Sequence, residues 1–519
     1  MERLLARRVL AAGLLLGLLA EIVLDGPALG LNIPLVVIAL LAAAWLLRRP
    51  GRAPDPLDAW LPFVAVVLAG FVAIRGDPFL ALLDTLAALA FTGASVVAFS
   101  GLAVTRRSAS VVATMGLWTL GAVAWGPTRA ITAARPIPPP SSPSASNAPS
   151  APMETGWVPP SPSRLPSWSG PVTRGLIVGI PLALIFAVLF ASADPIFRRG
   201  LDDALGLRID LGTFPGRVLF VLASAWLVVS LLAVAATGLP ALEHGTSLGA
   251  ATSAPPIDHL RFLGAVEAVV ILLVIDLVVA AFVGLQVAYL FGGVDTLAAI
   301  GMTYSDYARR GFFELVAAAC LACAVVVALE TTVERRSRPY IVALLVLVGL
   351  SGVVLASAAM RLRLYQDAYG WTELRLYVLV AIGSLGLVLA ATGALVLADR
   401  TRWLGHALAV IGVVALVGLN LIAPSAVVAE RNIARVLDPT LVPADGHTGL
   451  DRAYLAVLPD DAIPVVVSAL PLLPEADRGA ITWFLDQRAS ELSLDPAYQG
   501  PAAWNLGRER ARMALDTLR

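Results

Sequence analysis

Residues 376–397 read LYVLVAIGSLGLVLAATGALVL, and after the six residues ADRTRW the chain resumes at 404–423 with LGHALAVIGVVALVGLNLIA. Neither run contains an Asp, Glu or Arg. The hydrocarbon core of a bilayer is about 30 Å thick and asks for roughly 20 consecutive apolar residues per helical span. The two runs therefore read as membrane-crossing helices joined by a short polar turn, which sets the fold class for the rest of the chain.

Working outward, runs of similar character lie at Phe262–Phe291, Phe312–Leu329 and Tyr340–Ala358, and further upstream at Gly175–Ala193 and Val218–Ala236. The first part of the chain adds Val9–Leu24, Leu31–Leu47, Ala59–Ile74 and Phe79–Phe99, with a shorter apolar stretch at Val111–Trp125. The expected architecture is all-α, a polytopic transmembrane helical bundle of about 11–12 spans, followed by a small C-terminal soluble helical domain. Composition agrees: 58% of the 519 residues are hydrophobic and 14% charged, against roughly a quarter charged in a soluble domain. The apolar run after Arg3, Arg7 and Arg8 has the outline of a signal peptide, but spans follow it at once and no good cleavage site stands near Gly30, so it reads as an uncleaved first span.

Four segments are expected: N-terminal transmembrane helices over 1–125, a Pro/Ser/Ala-rich flexible linker over 126–173, a core transmembrane bundle over 174–423, and the soluble domain over 424–519. The linker carries Pro138, Pro139 and Pro140 and lacks the apolar residues of a core. In the tail the apolar runs shorten around Leu455–Leu458, Val465–Leu470 and Ile481–Leu485, punctuated by Pro464, Pro471 and Pro474, as in several short packed helices. Asp460 and Asp461 precede one of them and read as N-terminal caps.

Charge excludes some functions. All 37 basic residues are Arg and the formal net charge is zero, which leaves no polybasic surface for a nucleic-acid partner. The four histidines are scattered without metal-ligand spacing. Cys320 and Cys323 form a CxxC inside an apolar run, where two small packing residues are the simpler reading. There is no phosphate-binding glycine loop, HExxH or nucleophile elbow. No metal, cofactor or catalytic residue is assigned, and an enzyme is the less favoured class. The partners expected are the lipid bilayer and a membrane or cell-envelope protein.

Arginine-rich short loops mark the cytoplasmic side. Arg3, Arg7 and Arg8, then Arg48, Arg49 and Arg52, then Arg106 and Arg107 fall on one side if the first four spans alternate. Arg335, Arg336 and Arg338, then Arg400 and Arg402, fall on it too if Val111–Trp125 does not cross. The N-terminus is then cytoplasmic and the tail extracytoplasmic; a crossing at Val111–Trp125 puts the tail inside. With either choice the loops after Ala193, Phe291 and Ala358 and the tail after Ala423 share a side.

That side collects a candidate polar pocket. Its members are Asp194 and Arg198 in the first loop, and Asp306, Tyr307, Arg310 and Glu314 in the second. Arg363, Tyr365, Asp367 and Tyr369 follow in the third, with Arg375 just beyond. Helical spacing pairs Asp306 with Arg310, Arg310 with Glu314 and Arg363 with Asp367. Capping of helix ends and interfacial placement of Tyr and Arg account for the same residues without a ligand. Two acids, Glu267 and Asp276, lie in the run at 262–291, where an ionisable group ordinarily faces a partner, a cavity or an ion path. Arg75-Gly76-Asp77 spells a cell-adhesion tripeptide in a tight turn between spans and reads as chance.

Several motifs carry a resemblance. Phe190-Ala191-Ser192-Ala193-Asp194-Pro195, Tyr304 through Glu314, and Arg363 through Gly370 with Arg375 resemble a bacterial membrane family, domain of unknown function 4173, whose sister family is 4153. The tail is similar to it at Ala429-Glu430-Arg431-Asn432-Ile433, at Leu450 through Leu455 and at Trp504-Asn505-Leu506. The likeness covers roughly 175–519. It implies a multi-pass protein of a bacterial cell membrane and no particular activity. Three functions stand open: a membrane scaffold or sensor with a pocket formed by the three loops and the tail, a secondary transporter or channel using Asp276 in mid-membrane, or an embedded enzyme acting on a lipid-linked substrate.

Overall fold

The computed structural model describes residues 3–48, 51, 53–106, 119, 126–127, 129–134, 214–238, 264–291, 312–333, 336–443 and 446–518. The long helices are α1 (Arg3–Leu24), α2 (Asn32–Leu46), α3 (Trp60–Val72), α4 (Pro78–Phe99), α5 (Phe214–Thr237), α6 (Ala265–Phe291), α7 (Phe312–Thr332), α8 (Arg338–Tyr369), α9 (Glu373–Leu397) and α10 (Leu404–Ile422). The tail contributes α11 (Pro424–Leu437), α12 (Arg452–Ala456), α13 (Ile463–Ala469), α14 (Glu475–Leu494) and α15 (Leu506–Asp516). No β-sheet forms among the described residues. Among the described residues six helices are long and apolar enough to cross a membrane: Pro78–Phe99, Phe220–Thr237, Ala265–Gly284, Arg338–Tyr369, Glu373–Leu397 and Thr401–Ile422. Shorter apolar helices occupy Asn32–Leu46, Pro56–Val72 and Leu315–Glu330. On α6, Leu273, Val274, Leu277 and Val278 stand more than half exposed, a face that lipid accepts and water does not. The expected spans at Val111–Trp125 and Gly175–Ala193 and the linker fall wholly or almost wholly outside the described residues.

The chain divides into two compact units. One comprises Met1–Glu21 and Val123–Ser230. In it Gly13 and Gly17 let α1 approach α5 closely: a Cβ on Gly13 would stand 2.1 Å from Val229, and one on Gly17 2.8 Å from Ala225. Small residues at a helix crossing are how membrane helices gain packing contact where lipid is as apolar as the helices.

The other unit comprises Ile22–Ala122 and Leu231–Arg519. Its first bundle is α2, α3 and α4, packed on one another. Its second is built on α8, whose buried face of Tyr340, Leu344, Leu347, Leu355 and Leu362 meets α6, α7 and α9. A clasp closes one end of this bundle. Tyr340 donates to Glu330 at 2.9 Å, and Arg336 forms ion pairs of 3.0 Å with both Glu330 and Asp399. Cys323 is buried and Cys320 exposed, and neither is in a disulfide.

One expectation is corrected here. The residues read as a third loop, 361–369, are the last turns of α8, which runs unbroken for 32 residues. The apolar run ends near Ala358, but Arg, Leu, Tyr and Gln are good or adequate helix formers. Nothing stops the helix until Gly370, which takes φ +87 at its C-cap.

The tail helices enclose a core of their own, in which Val428, Ile463, Val466, Leu473, Leu485 and Leu492 are buried. Entry to the tail is fixed at Ala423, which adopts a left-handed φ of 55° between α10 and Pro424. A residue before proline is disfavoured in the right-handed helical region, so α10 stops there and α11 starts at an angle.

Candidate functional site

Three turns of this unit meet the tail: the one before α2, the one between α3 and α4, and the one between α8 and α9. Each contact is made largely by backbone.

The end of a helix leaves its last carbonyls without partners. At the end of α3 all four from Val72 to Arg75 are taken by the start of α15. Asn505 Nδ2 donates to the Val72 and Arg75 carbonyls at 2.8 Å each, Leu506 N–H to Ala73 at 2.8 Å, and Gly507 N–H to Ile74 at 3.0 Å. The same Asn505 caps α15 by accepting from Arg508 N–H at 3.1 Å. The negative end of one helix dipole thus faces the positive end of another. Only glycine fits at 507, since a Cβ there would lie 2.2 Å from Asp461 Oδ1 and 2.6 Å from Gly76 N.

The next residues extend this seam. Gly76 N–H donates to Asp461 Oδ2 at 3.0 Å. Asp77 caps α4, accepting from Phe79 and Leu80 N–H at 2.9 and 3.1 Å, while its other oxygen accepts from Tyr377 Oη at 2.5 Å. In the turn before α2, Ala28, Leu31 and Asn32 donate to the carbonyls of Ala497, Trp504 and Ala502 at 2.7, 2.9 and 3.0 Å. Arg508 reaches the carbonyls of Leu29 and Ala503.

At the third turn, Asn432 on α11 pairs with both backbone groups of Trp371 at 2.8 Å each. Arg435, itself buried, donates to the carbonyls of Gln366, Asp367, Ala368 and His447. It caps α8 as a cation at a helix C-terminus. Glu373 N–H donates to Tyr454 Oη at 2.8 Å.

The electrostatics of the junction are tight. Burial pushes the Asp461 carboxyl up to about 6, against the pull of Arg75 and the Gly76 N–H, with Asp77 and Asp460 pushing the same way as burial. Burial also raises Asp460, against Arg488, and lowers Arg435. Because the docked Asp461 holds its proton more tightly than a free carboxyl, its contribution to docking is complete below about pH 4 and is lost as pH rises through about 6. The difference is about 3 kcal/mol at most. Asp461→Asn keeps an acceptor for Gly76 and removes the charge. The variant should match the parent at pH 4 and exceed it in melting temperature at pH 7.5. Equal pH profiles for the two proteins would refute this.

The sequence-selected residues are placed as follows. Tyr365 and Tyr369 stack edge to face at 5.1 Å between ring centres. Arg375 lies over the Tyr365 ring at 4.0 Å and donates to the Gly370 carbonyl. Arg363 and Asp367 are exposed side chains on the last turns of α8, and the group that reaches Asp367 there is Arg435, through the backbone carbonyl. Glu267 caps its own helix, accepting from Gly264 N–H at 2.8 Å. Asp276 is 6% exposed, and neither carboxylate oxygen has a hydrogen-bond partner among the described residues. Glu314 belongs to the backbone of α7. Asp194, Arg198, Asp306, Tyr307 and Arg310 lie outside the described residues.

Asp460 and Asp461 do not cap α13 with their side chains; one pairs with Arg488 and the other binds Gly76. Sequence reasoning passed over Arg75-Gly76-Asp77, which forms the centre of the seam, and took Asn505 only as part of a family motif. Among the described residues no group of three or more His, Cys, Asp or Glu is placed to hold a metal ion.

A bundle of apolar helices bearing a tail hydrogen-bonded onto its turns defines a multi-pass α-helical membrane protein. The chain belongs to the family described as Domain of unknown function (DUF4153), whose model matches residues 62–469. This is the sister family of the one the motifs first pointed to, and the match begins within α3, well before the stretch those motifs cover. It takes in the α3–α4 and α8–α9 turns and Asp461 but ends before Asn505. No curated protein and no solved structure matches the chain.

Proposed function

We propose that this protein is a membrane scaffold or sensor of the bacterial cell membrane, whose extracytoplasmic tail and the turns beneath it receive a membrane or cell-envelope partner. The observation that supports this reading is the seam itself: three turns between spans are held by one tail through backbone bonds, so a partner that shifts the tail shifts the helix ends. Nothing in the seam needs a catalytic group. The candidate pocket extends from it through Tyr365, Tyr369 and Arg375, with Asp194, Arg198, Asp306, Tyr307, Arg310 and Glu314 as further members. The segments 126–173, 174–423 and 424–519 act on this reading as tether, bundle and receiver.

The test is in-membrane crosslinking of the full chain, comparing the parent with a Gly507→Ala variant whose tail is displaced. A partner captured by the parent and lost from the variant is the expected result. An identical set of crosslinked proteins in both would sink the proposal.

A second reading, proton-coupled transport, rests on Asp276, whose buried oxygens have no hydrogen-bond partner among the described residues. It predicts that Asp276→Asn abolishes proton-coupled flux in reconstituted vesicles while leaving the melting temperature within a few degrees of the parent. Unchanged flux would exclude it.

A further inference from the structure

Asp84 on α4 and Asn420 on α10 are both 0% exposed. They join the first bundle to the helix that leads into the tail. Asn420 Nδ2 donates to Asp84 Oδ1 at 2.9 Å. Two atoms of the pair are left buried without a hydrogen-bond partner among the described residues, Asp84 Oδ2 and Asn420 Oδ1. Two buried acceptors without a donor are an unfavourable arrangement, and a carboxylate inside a helical bundle with one neutral donor is far short of the partners an ion needs.

One proton removes both deficits. Placed on Asp84 Oδ2 it becomes a donor for Asn420 Oδ1, and acid and amide then close a ring of two hydrogen bonds. We propose that Asp84 is a proton-binding site: it carries a proton at neutral pH and forms a cyclic acid–amide clasp with Asn420 that locks α4 to α10.

Among the described residues no cation is in contact with Asp84. Neither α2 nor α3, which pack on α4, contains an ionisable residue. The only ionisable residue on α10 is His406, fourteen positions from Asn420 and so roughly 21 Å along the helix. On α9 the ionisable groups Glu373, Arg375 and Tyr377 sit at its start, where Tyr377 is engaged with Asp77. The charges that reach Asp84 are Asp77 and Arg75, one of each sign, on the turn before α4. Elsewhere α4 and α10 are parted, with α9, around an open apolar groove of about 670 Å³, lined among others by Leu83 and Phe91 of α4, Val380 and Ala381 of α9, and Leu408 and Leu416 of α10. The clasp is thus the polar joint across a loosely packed contact.

The test is infrared difference spectroscopy on the full chain in lipid nanodiscs. At pH 7 the parent should show the carbonyl band of a protonated carboxylic acid that is missing from Asp84→Asn and moves to higher frequency in Asn420→Val. Asp84→Asn should also fold with the parent's melting temperature, since an amide–amide pair closes the same two bonds, whereas Asp84→Val should melt several degrees lower. Absence of an Asp84-dependent acid band at pH 7 would show the group ionised and overturn the proposal. So would a band that Asn420→Val leaves unmoved.

Discussion

Gly507→Ala releases the tail from the membrane bundle, and Gly479→Ala, the same chemical change on α14, does not. At 507 the added carbon would lie 2.2 Å from Asp461 Oδ1, 2.6 Å from Gly76 N and 3.2 Å from Asn505 Oδ1. The Gly76 nitrogen is backbone, Asn505 Oδ1 is committed to the α15 cap, and the Asp461 carboxylate is held in place by the bond from Gly76 N–H to its other oxygen, Oδ2. The start of α15 must therefore move, and with it go the bonds of Asn505, Leu506 and Gly507 to the end of α3. Overpacking of this kind costs about 1–3 kcal/mol, and each bond lost adds about 1 kcal/mol. With four such bonds the expected loss is about 5–7 kcal/mol, read as a lower melting temperature and faster cleavage of the tail by protease. At Gly479 nothing lies within 4 Å, and alanine there should stabilise by about 0.5–1 kcal/mol through helix propensity alone. Similar behaviour of the two variants would show that the seam does not hold the tail.

Arg488→Met should destabilise the tail by about 3–5 kcal/mol, the range for stripping one partner from a buried ion pair. Asp460 is 4% exposed and takes two hydrogen bonds from Arg488 at 2.9 and 3.0 Å. Burial already raises the Asp460 carboxyl, and Arg488 is the strongest influence holding it down. Without the arginine the folded-state value rises further, so the stability lost at pH 7 should return as pH falls and the carboxyl is neutralised. The double variant Arg488→Met, Asp460→Asn should recover most of the loss at pH 7. A pH-independent deficit, or no recovery in the double variant, would count against an uncompensated charge as the cause.

The membrane helices were legible because a span is announced by length and composition alone. Residues 376–397 and 404–423 needed no partner to be recognised. The end of α8 was misread for a related reason: its apolar run stops where the helix leaves hydrocarbon, and the signal that ends the helix is Gly370, twelve residues beyond Ala358. The seam was illegible in a stronger sense. Its acceptors at 72–75 are backbone carbonyls, which every residue has, and its donors at 505–507 lie more than 400 positions away. Only Asn505, Gly507 and Asp461 leave a trace in the sequence, and none has a spacing that announces its role. The intramembrane acids divide likewise: Asp276 stood out within a long apolar run, whereas Asp84 in a more mixed one did not.

The seam also orders events during synthesis. The carbonyls of Val72 and Arg75 wait for Asn505, 433 and 430 residues later, and that of Leu29 waits for Arg508 across 479. At translation rates of about 5–20 residues per second the first spans sit in the membrane for roughly 20–90 s before their closing partner emerges. A chain cut short after α14 would insert its spans yet leave the end of α3 permanently uncapped.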